Sequence, residues 1–327
     1  MGIDPMIYSR IAGTGAYLPA KVVTNHDLEQ SMDTSDEWIR ERTGIRRRHV
    51  AAEGETSSDM GLAAAYRAME MAGIEVQDID LIVVATTTPD KVFPSTACII
   101  QRQLKIHGCP AFDVQAACSG FVYALDIANR MIQTGGATTA LIIGSEALSR
   151  ITNWEDRGTA VLFGDGAGAV VLQASDEQGI ISTHIHSDGQ YEDLLEVPAG
   201  ISSGYDVVRA NEAYIKMNGN AVFRRAVATL GSIAQETLDG NGIDKHDIDW
   251  LVPHQANLRI IAAAAKKLDL PMERVVVTVD DQANTSAASI PLALDTAVRD
   301  GRIKRGHLLL FEAFGAGFTW GSALVRF

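Results

Sequence analysis

The sequence predicts an internally duplicated α/β fold in which mostly parallel sheets are layered with helices. Three observations carry this. "GIEVQDIDLIV" at residues 73–83 returns as "GIDKHDIDWLV" at 242–252. "ALDIA" at 124–128 returns as "ALDTA" at 293–297, and both pairs stand 169 residues apart. Helical and apolar-strand patterns alternate in the same order in both halves, and near-continuous apolar strands belong to parallel sheets covered on both faces.

Residues 1–5, "MGIDP", read as a cloning remnant before a start at Met6 and are set aside from fold reasoning. The first half occupies residues 6–175. Its helix "SSDMGLAAAYRAMEMAG" leads through Asp-Ile-Asp to an apolar strand; "STACIIQRQLK" is a second helix, "AFDVQ" a strand, and the helix bearing Ala-Leu-Asp follows. "TALIIGS" and "GAGAVVLQ" close this half as strands. The second half, residues 176–327, repeats the order with "AVFRRAVATLGSIAQETL", "WLV", "NLRIIAAAAKKL", the strand "VVVTV", the helix around "ALDTA", and the closing strands "HLLLFEA" and "FTWGSALVRF". The segment "VPAGISSGYDVVRANEAYIKMNG" is too polar and irregular to assign.

A chain of 327 residues that is 46% hydrophobic can bury a large core. Three cysteines, Cys98, Cys109 and Cys118, without an N-terminal apolar leader point to a reducing, cytoplasmic setting rather than a disulfide scaffold. No apolar run is long enough to cross a bilayer. The net charge of -13 disfavours nucleic acid and anionic membranes as partners.

Residues 112–128, "FDVQAACSGFVYALDIA", pass from a strand through small residues into a helix, with Cys118 at the joint. Free N–H groups and the positive end of the helix dipole there favour a thiolate. A buried structural cysteine is the competing reading. The duplication sharpens the question, because Cys118 corresponds to Ala287: the second half keeps the joint and lacks the thiol.

Ligands of α/β folds gather at the carboxyl ends of strands, so partners of Cys118 are sought at matching strand ends. His254 follows the strand "WLVP" and precedes a helix; Asn284 follows "VVVTV" and precedes another, where a turn or cap role would also suit it. His184 and His186 alternate in "STHIHSDG", but no third ligand accompanies them, and no metal site is expected. A thiolate can attack a carbonyl, while an imidazole and a carboxamide can donate hydrogen bonds to an enolate oxygen.

The motifs "TSDEWIRERTGI", "AACSGFVYAL", "DRGTAVLFGDGAGA", "VPHQANLRI", "NTSAASIPLAL" and "AFGAGFTWGSAL" together resemble the β-ketoacyl-[acyl-carrier-protein] synthase III family, over residues 6–327. That resemblance implies a thiolase-like fold and the initiating condensation of type II fatty-acid synthesis. It makes Cys118, His254 and Asn284 the catalytic residues, with the N–H groups of Cys118 and Ala316 as oxyanion hole. It implies an acyl group, typically acetyl, taken from coenzyme A, then condensation with malonyl-acyl-carrier-protein, and no metal or redox cofactor. Trp38, Arg42 and Arg157 would hold the adenine end of coenzyme A, Gly219, Phe223 and Asn257 would line the pantetheine arm, and Phe93 would press on the acyl pocket of a neighbouring subunit in a homodimer. The acidic carrier protein would meet Gln255, Ala256, Asn257, Leu258, Arg259, Lys266 and Lys267; Arg259 and Lys266, seven apart on one helix, share a face.

Two positions depart from the family pattern. Ala283 and Ala316 stand where glycine is usual, and each would be strained if a positive φ were required there. Against rival classes, no Gly-x-Ser-x-Gly stands at a strand-helix elbow, and "GDGAGAVVLQ" leads into a strand where phosphate binding needs a helix. A sister condensing enzyme with the same three residues, acting on coenzyme A substrates for polyketide, quinolone or ketone synthesis, is the nearest alternative.

Overall fold

The computed structural model describes residues 7–327; the expected remnant at 1–5 lies outside them. The strands are Tyr8–Tyr17 (β1), Lys21–Thr24 (β2), Arg47–Val50 (β3), Leu81–Ala85 (β4), Ala111–Val114 (β5), Thr139–Ala147 (β6), Asp165–Ser175 (β7), Ile180–Ser187 (β8), Leu195–Glu196 (β9), Lys216–Met217 (β10), Trp250–Pro253 (β11), Leu308–Gly315 (β12) and Thr319–Arg326 (β13). A five-stranded sheet runs β1-β7-β6-β4-β5 and a four-stranded sheet β11-β12-β13-β8, with β2-β3 and β9-β10 as small pairs.

Period-two alternation along the strands builds a layered body. Leu81, Val83 and Ala85 face a middle layer made by helices Gly120–Gln133 and Ser289–Arg299, which also receives Leu309, Phe311 and Ala313 from the other sheet. Ile82 and Val84 face outward onto helices Ser57–Ala72 and Thr96–Leu104. Helices Gly219–Asn241 and Leu258–Lys267 cover the outer face of the second sheet. Burial on both faces explains the unbroken apolar runs.

The duplication is visible atom by atom at the same offset of 169. Gly73 and Gly242 end their helices in the left-handed conformation. Asp80 accepts from the Thr139 N–H at 2.9 Å, and Asp249 from the Leu308 N–H at 2.7 Å. Asp126 pairs with Arg130, and Asp295 with Arg299, both at 2.9 Å.

Two expectations need correction. The sheets are mixed: β4 pairs in parallel with β5 and β6, and β11 with β12, whereas β1/β7, β6/β7, β12/β13 and β8/β13 are antiparallel. Crossover helices enforce the parallel pairs, and the short turn between β12 and β13 permits only reversal. "VVVTV" is not a strand but a single bridge from Leu251 to Val275. The Gln255 side chain takes the ladder's place: its Nε2 donates to the Val276 carbonyl and its Oε1 accepts from the N–H groups of Thr278 and Val279.

Candidate active site

Cys118 sits in the turn Ala117–Ser119, directly before the helix Gly120–Gln133. Ala117 takes φ 44°, and its counterpart Ser286 takes φ 49° in the matching turn Ser286–Ala288. The two turns pack on each other, with a Cβ at Gly120 lying 3.4 Å from that of Ala287. The second half therefore offers its own joint to the thiol.

That joint gathers the three polar groups. The turn that carries Ser286 packs on the turn that carries Cys118, near enough for the Ser286 hydroxyl to act on the thiol. Asn284 Oδ1 accepts from the Ser286 N–H at 2.9 Å, which commits the carboxamide oxygen and leaves Nδ2 to donate elsewhere. His254 Nδ1 lies 2.6 Å from Ser289 Oγ, one residue past the turn. The His254 N–H donates to the Glu312 carbonyl at 2.7 Å, which holds it at the end of β11, and Asn284 is fastened through Leu162 and Gly164.

Electrostatics differ from expectation at the thiol. Burial pushes Cys118 up to about 12, while the Ser286 hydroxyl pulls it down. Cys118 is at a helix start, as expected, but desolvation outweighs the stabilisation that position gives a thiolate. Burial likewise lowers His254 to about 3, so the ring is neutral at ordinary pH. A neutral imidazole and a carboxamide are hydrogen-bond donors that carry no charge of their own, suited to an oxygen that becomes negative during reaction.

The turn after β12 meets the same point. A Cβ at Gly315 would stand 2.6 Å from the Cys118 nitrogen, so the chain leading to Ala316 runs directly against the thiol's backbone. Thr319 Oγ1 braces it, with the carbonyls of Ala116 and Ala316 at 2.8 and 3.1 Å.

Farther out, the guanidinium groups of Arg42 and Arg157 lie 4.8 and 4.6 Å from the centre of the Trp38 ring, close enough for cation–π contact. Asn257 caps the helix Leu258–Lys267 and donates through Nδ2 to the Arg42 carbonyl at 3.0 Å, linking this group to the His254 segment. Gly219 opens the helix that carries Phe223, over whose ring the Arg259 guanidinium lies at 5.1 Å. Arg259, Lys266 and Lys267 are all exposed, and the Lys267 stem runs past Gly231. Ala256 and Leu258 are half-buried. Gln255 cannot meet a carrier protein, since it is fully buried with its amide bonded to the backbone of residues 253, 276, 278 and 279. Phe93 is 83% exposed, next to the exposed Val92. His184 and His186 both pair with Glu236, and among the described residues no cluster is arranged for a metal ion.

Sequence reasoning missed Ser286 and Ser289. The spacing Asn284, Ser286, Ser289 at the mouth of a helix was the available signal. It also missed Glu312, a carboxyl inside an apolar strand.

Sequence profiles described as 3-Oxoacyl-[acyl-carrier-protein (ACP)] synthase III match residues 112–189, and its C-terminal counterpart matches 238–327. The β-ketoacyl-[acyl-carrier-protein] synthase III of Thioalkalivibrio sulfidiphilus is 66% identical over 98% of this chain and 100% of its own. The crystal structure of 3-oxoacyl-[acyl-carrier-protein] synthase III from Aquifex aeolicus superposes with a TM-score of 0.92 at 48% identity, covering 98% of this chain and 100% of that one. The priming β-ketosynthase of the R1128 polyketide pathway gives 0.94 at 38% identity, covering 99% and 98%.

Proposed function

Since this chain belongs to the β-ketoacyl-[acyl-carrier-protein] synthase III family, a thiolase-like family of acyltransferases, we propose that Cys118, His254 and Asn284 carry out the initiating condensation of type II fatty-acid synthesis. The observation that supports these roles is the packing of the Cys118 turn on the turn 286–288, whose flanks hold Asn284 through the Ser286 N–H and His254 through Ser289.

The Cys118 sulfur attacks the carbonyl of an acyl-coenzyme A, acetyl by our reading. The coenzyme A thiolate departs and ends with the thiol's proton. One thioester replaces another, so this step is near neutral in free energy. Malonyl-acyl-carrier-protein then loses carbon dioxide, and the electron pair of the broken C–C bond forms an enolate. Its oxygen accepts hydrogen bonds from His254 and Asn284. The enolate carbon attacks the acyl-cysteine, the oxyanion is held by the N–H groups of Cys118 and Ala316, and the cysteine leaves as a thiolate that regains a proton. No cofactor enters this scheme.

Trp38 with Arg42 and Arg157 is assigned to the adenine end of coenzyme A, and Gly219, Phe223 and Asn257 to the pantetheine arm. Arg259, Lys266 and Lys267 form the carrier-protein surface, a local positive face on a chain of charge -13. The exposed Phe93 is assigned to the acyl pocket of a partner in a homodimer. We divide the chain at 175/176, between β7 and β8, into a half supplying the nucleophile and a half supplying the imidazole and carboxamide. Among the described residues no helix is long and apolar enough to cross a membrane.

The deciding experiment incubates the protein and Cys118→Ser with radiolabelled acetyl-coenzyme A, then adds malonyl-acyl-carrier-protein or malonyl-coenzyme A. Label on Cys118 and condensation with the carrier substrate alone is the expected result. Turnover with malonyl-coenzyme A alone moves the protein to the sister class of condensing enzymes, and label on both proteins removes Cys118 from its role. Arg259→Glu raises KM for the carrier substrate and spares that for acetyl-coenzyme A; equal effects overturn the carrier surface.

A further inference from the structure

We propose that Ser289 is the positioning residue that sets the tautomer of His254, so that the imidazole presents its Nε2–H to the reacting enolate oxygen. This rests on the catalytic reading of His254 given above.

The duplication exposes the pairing. His254 corresponds to Ala85 in the first half, and Ser289 to Gly120, each 169 residues apart. Positions 85 and 120 touch: a Cβ at Gly120 would lie 3.2 Å from the Ala85 Cβ. The same contact in the second half is filled by His254 and Ser289, at 2.6 Å between Nδ1 and Oγ. One half has an inert Ala/Gly contact at this point, and the other has a hydrogen-bonded imidazole and hydroxyl.

The direction of that hydrogen bond follows from counting hydrogens. A serine hydroxyl has one hydrogen to give and lone pairs to receive. The other partner of Ser289 Oγ among the described residues is the Gln255 N–H, at 3.4 Å, which can only donate. The hydroxyl hydrogen therefore goes to His254 Nδ1, its available acceptor. An imidazole that accepts at Nδ1 and is neutral carries its proton at Nε2. Neutrality follows from burial, since His254 is 5% exposed and among the described residues no carboxylate hydrogen-bonds to its ring. Without Ser289 the two tautomers would compete, and a ring protonated at Nδ1 would point a lone pair at an oxygen that is gaining negative charge.

The test is nitrogen-15 NMR on protein labelled at histidine, with the His254 signals identified by their loss in His254→Ala. The parent protein is expected to show the Nε2–H tautomer at His254. In Ser289→Ala the signals shift toward Nδ1–H or a mixture, and decarboxylation of malonyl-acyl-carrier-protein falls roughly tenfold, the scale of one lost hydrogen bond to a reacting group. Transfer of acetyl to Cys118 changes less than about twofold in the same variant, because His254 acts after that step. An Nδ1–H tautomer in the parent, or an unchanged Nε2–H tautomer in Ser289→Ala, overturns the proposal. The parent spectrum decides the first point even if the variant does not fold. Decarboxylation at the parental rate by His254→Ala would instead overturn the catalytic reading of His254, a result distinct from either spectrum.

Discussion

A Cβ placed on Gly315 would stand 2.6 Å from the backbone nitrogen of Cys118, and 3.1 Å from its Cβ. No side chain fits there, because the obstacle is backbone. The turn that brings Ala316 to the site must approach the nucleophile this closely if the two N–H groups are to share one oxyanion. Gly315→Ala is therefore expected to push the turn away from the thiol. A displacement of this kind lowers acyl transfer about a hundredfold. Burst labelling by acetyl-coenzyme A measures it, with circular dichroism confirming the fold. Parental labelling would show that the turn does not position the reaction.

The thiol itself makes a second prediction. Burial holds its pKa near 12, so only a small fraction is thiolate at pH 7. Alkylation of Cys118 by iodoacetamide should rise about tenfold per pH unit between pH 7 and 10, because thiolate is the reactive form. Peptide mapping separates this site from Cys98 and Cys109, which are half-buried. A rate that levels off below pH 8 would mean that the helix start wins over desolvation.

These two cases mark what could be read from the chain. The strand-to-helix joint of Cys118 was legible because small residues and a change of period announce it, and the duplication was legible because Asp80 and Asp249 cap equivalent strands. The net charge preference of the thiol was not, since burial by a second half 169 residues away has no local signature. Gln255 misled for a related reason: beside an exposed helix it looks like surface, yet its amide replaces the hydrogen bonds of a missing strand. Ser289 escaped because a serine at a helix start is ordinary until His254 is placed against it.

The two alanines at glycine positions separate cleanly. Ala283 has φ 56° and ψ -161°, a region that glycine alone occupies comfortably, whereas Ala316 is not among the residues with positive φ. Releasing the strain at Ala283 is worth about 1–3 kcal/mol. Losing its buried methyl costs about 0.8 kcal/mol, and the added freedom of glycine in the unfolded chain costs about 0.4–1 kcal/mol. Ala283→Gly is thus expected to raise Tm modestly, and Ala316→Gly to lower it, since both costs apply there with no strain to release. Thermal melts of the two variants test the contrast, and a lower Tm for Ala283→Gly would show that its methyl packing outweighs the strain.

Glu312 gives the last prediction. Its side chain is fully buried, neither oxygen has a hydrogen-bond partner among the described residues, and burial raises its pKa to about 8. The folded state thus holds a proton that the unfolded chain releases near the ordinary glutamate value of 4.5. Its contribution to stability is full below that value and is lost as pH rises through about 8, at up to about 1.4 kcal/mol per pH unit in between. The cost falls close to the chemistry, because the Glu312 carbonyl holds the His254 N–H at 2.7 Å. Glu312→Gln keeps the shape and removes the titration. Its Tm should therefore gain on the parent between pH 6 and 8 and level off above, and melting curves that stay parallel from pH 6 to 8 would show that Glu312 is already ionised, with a partner, in the folded state.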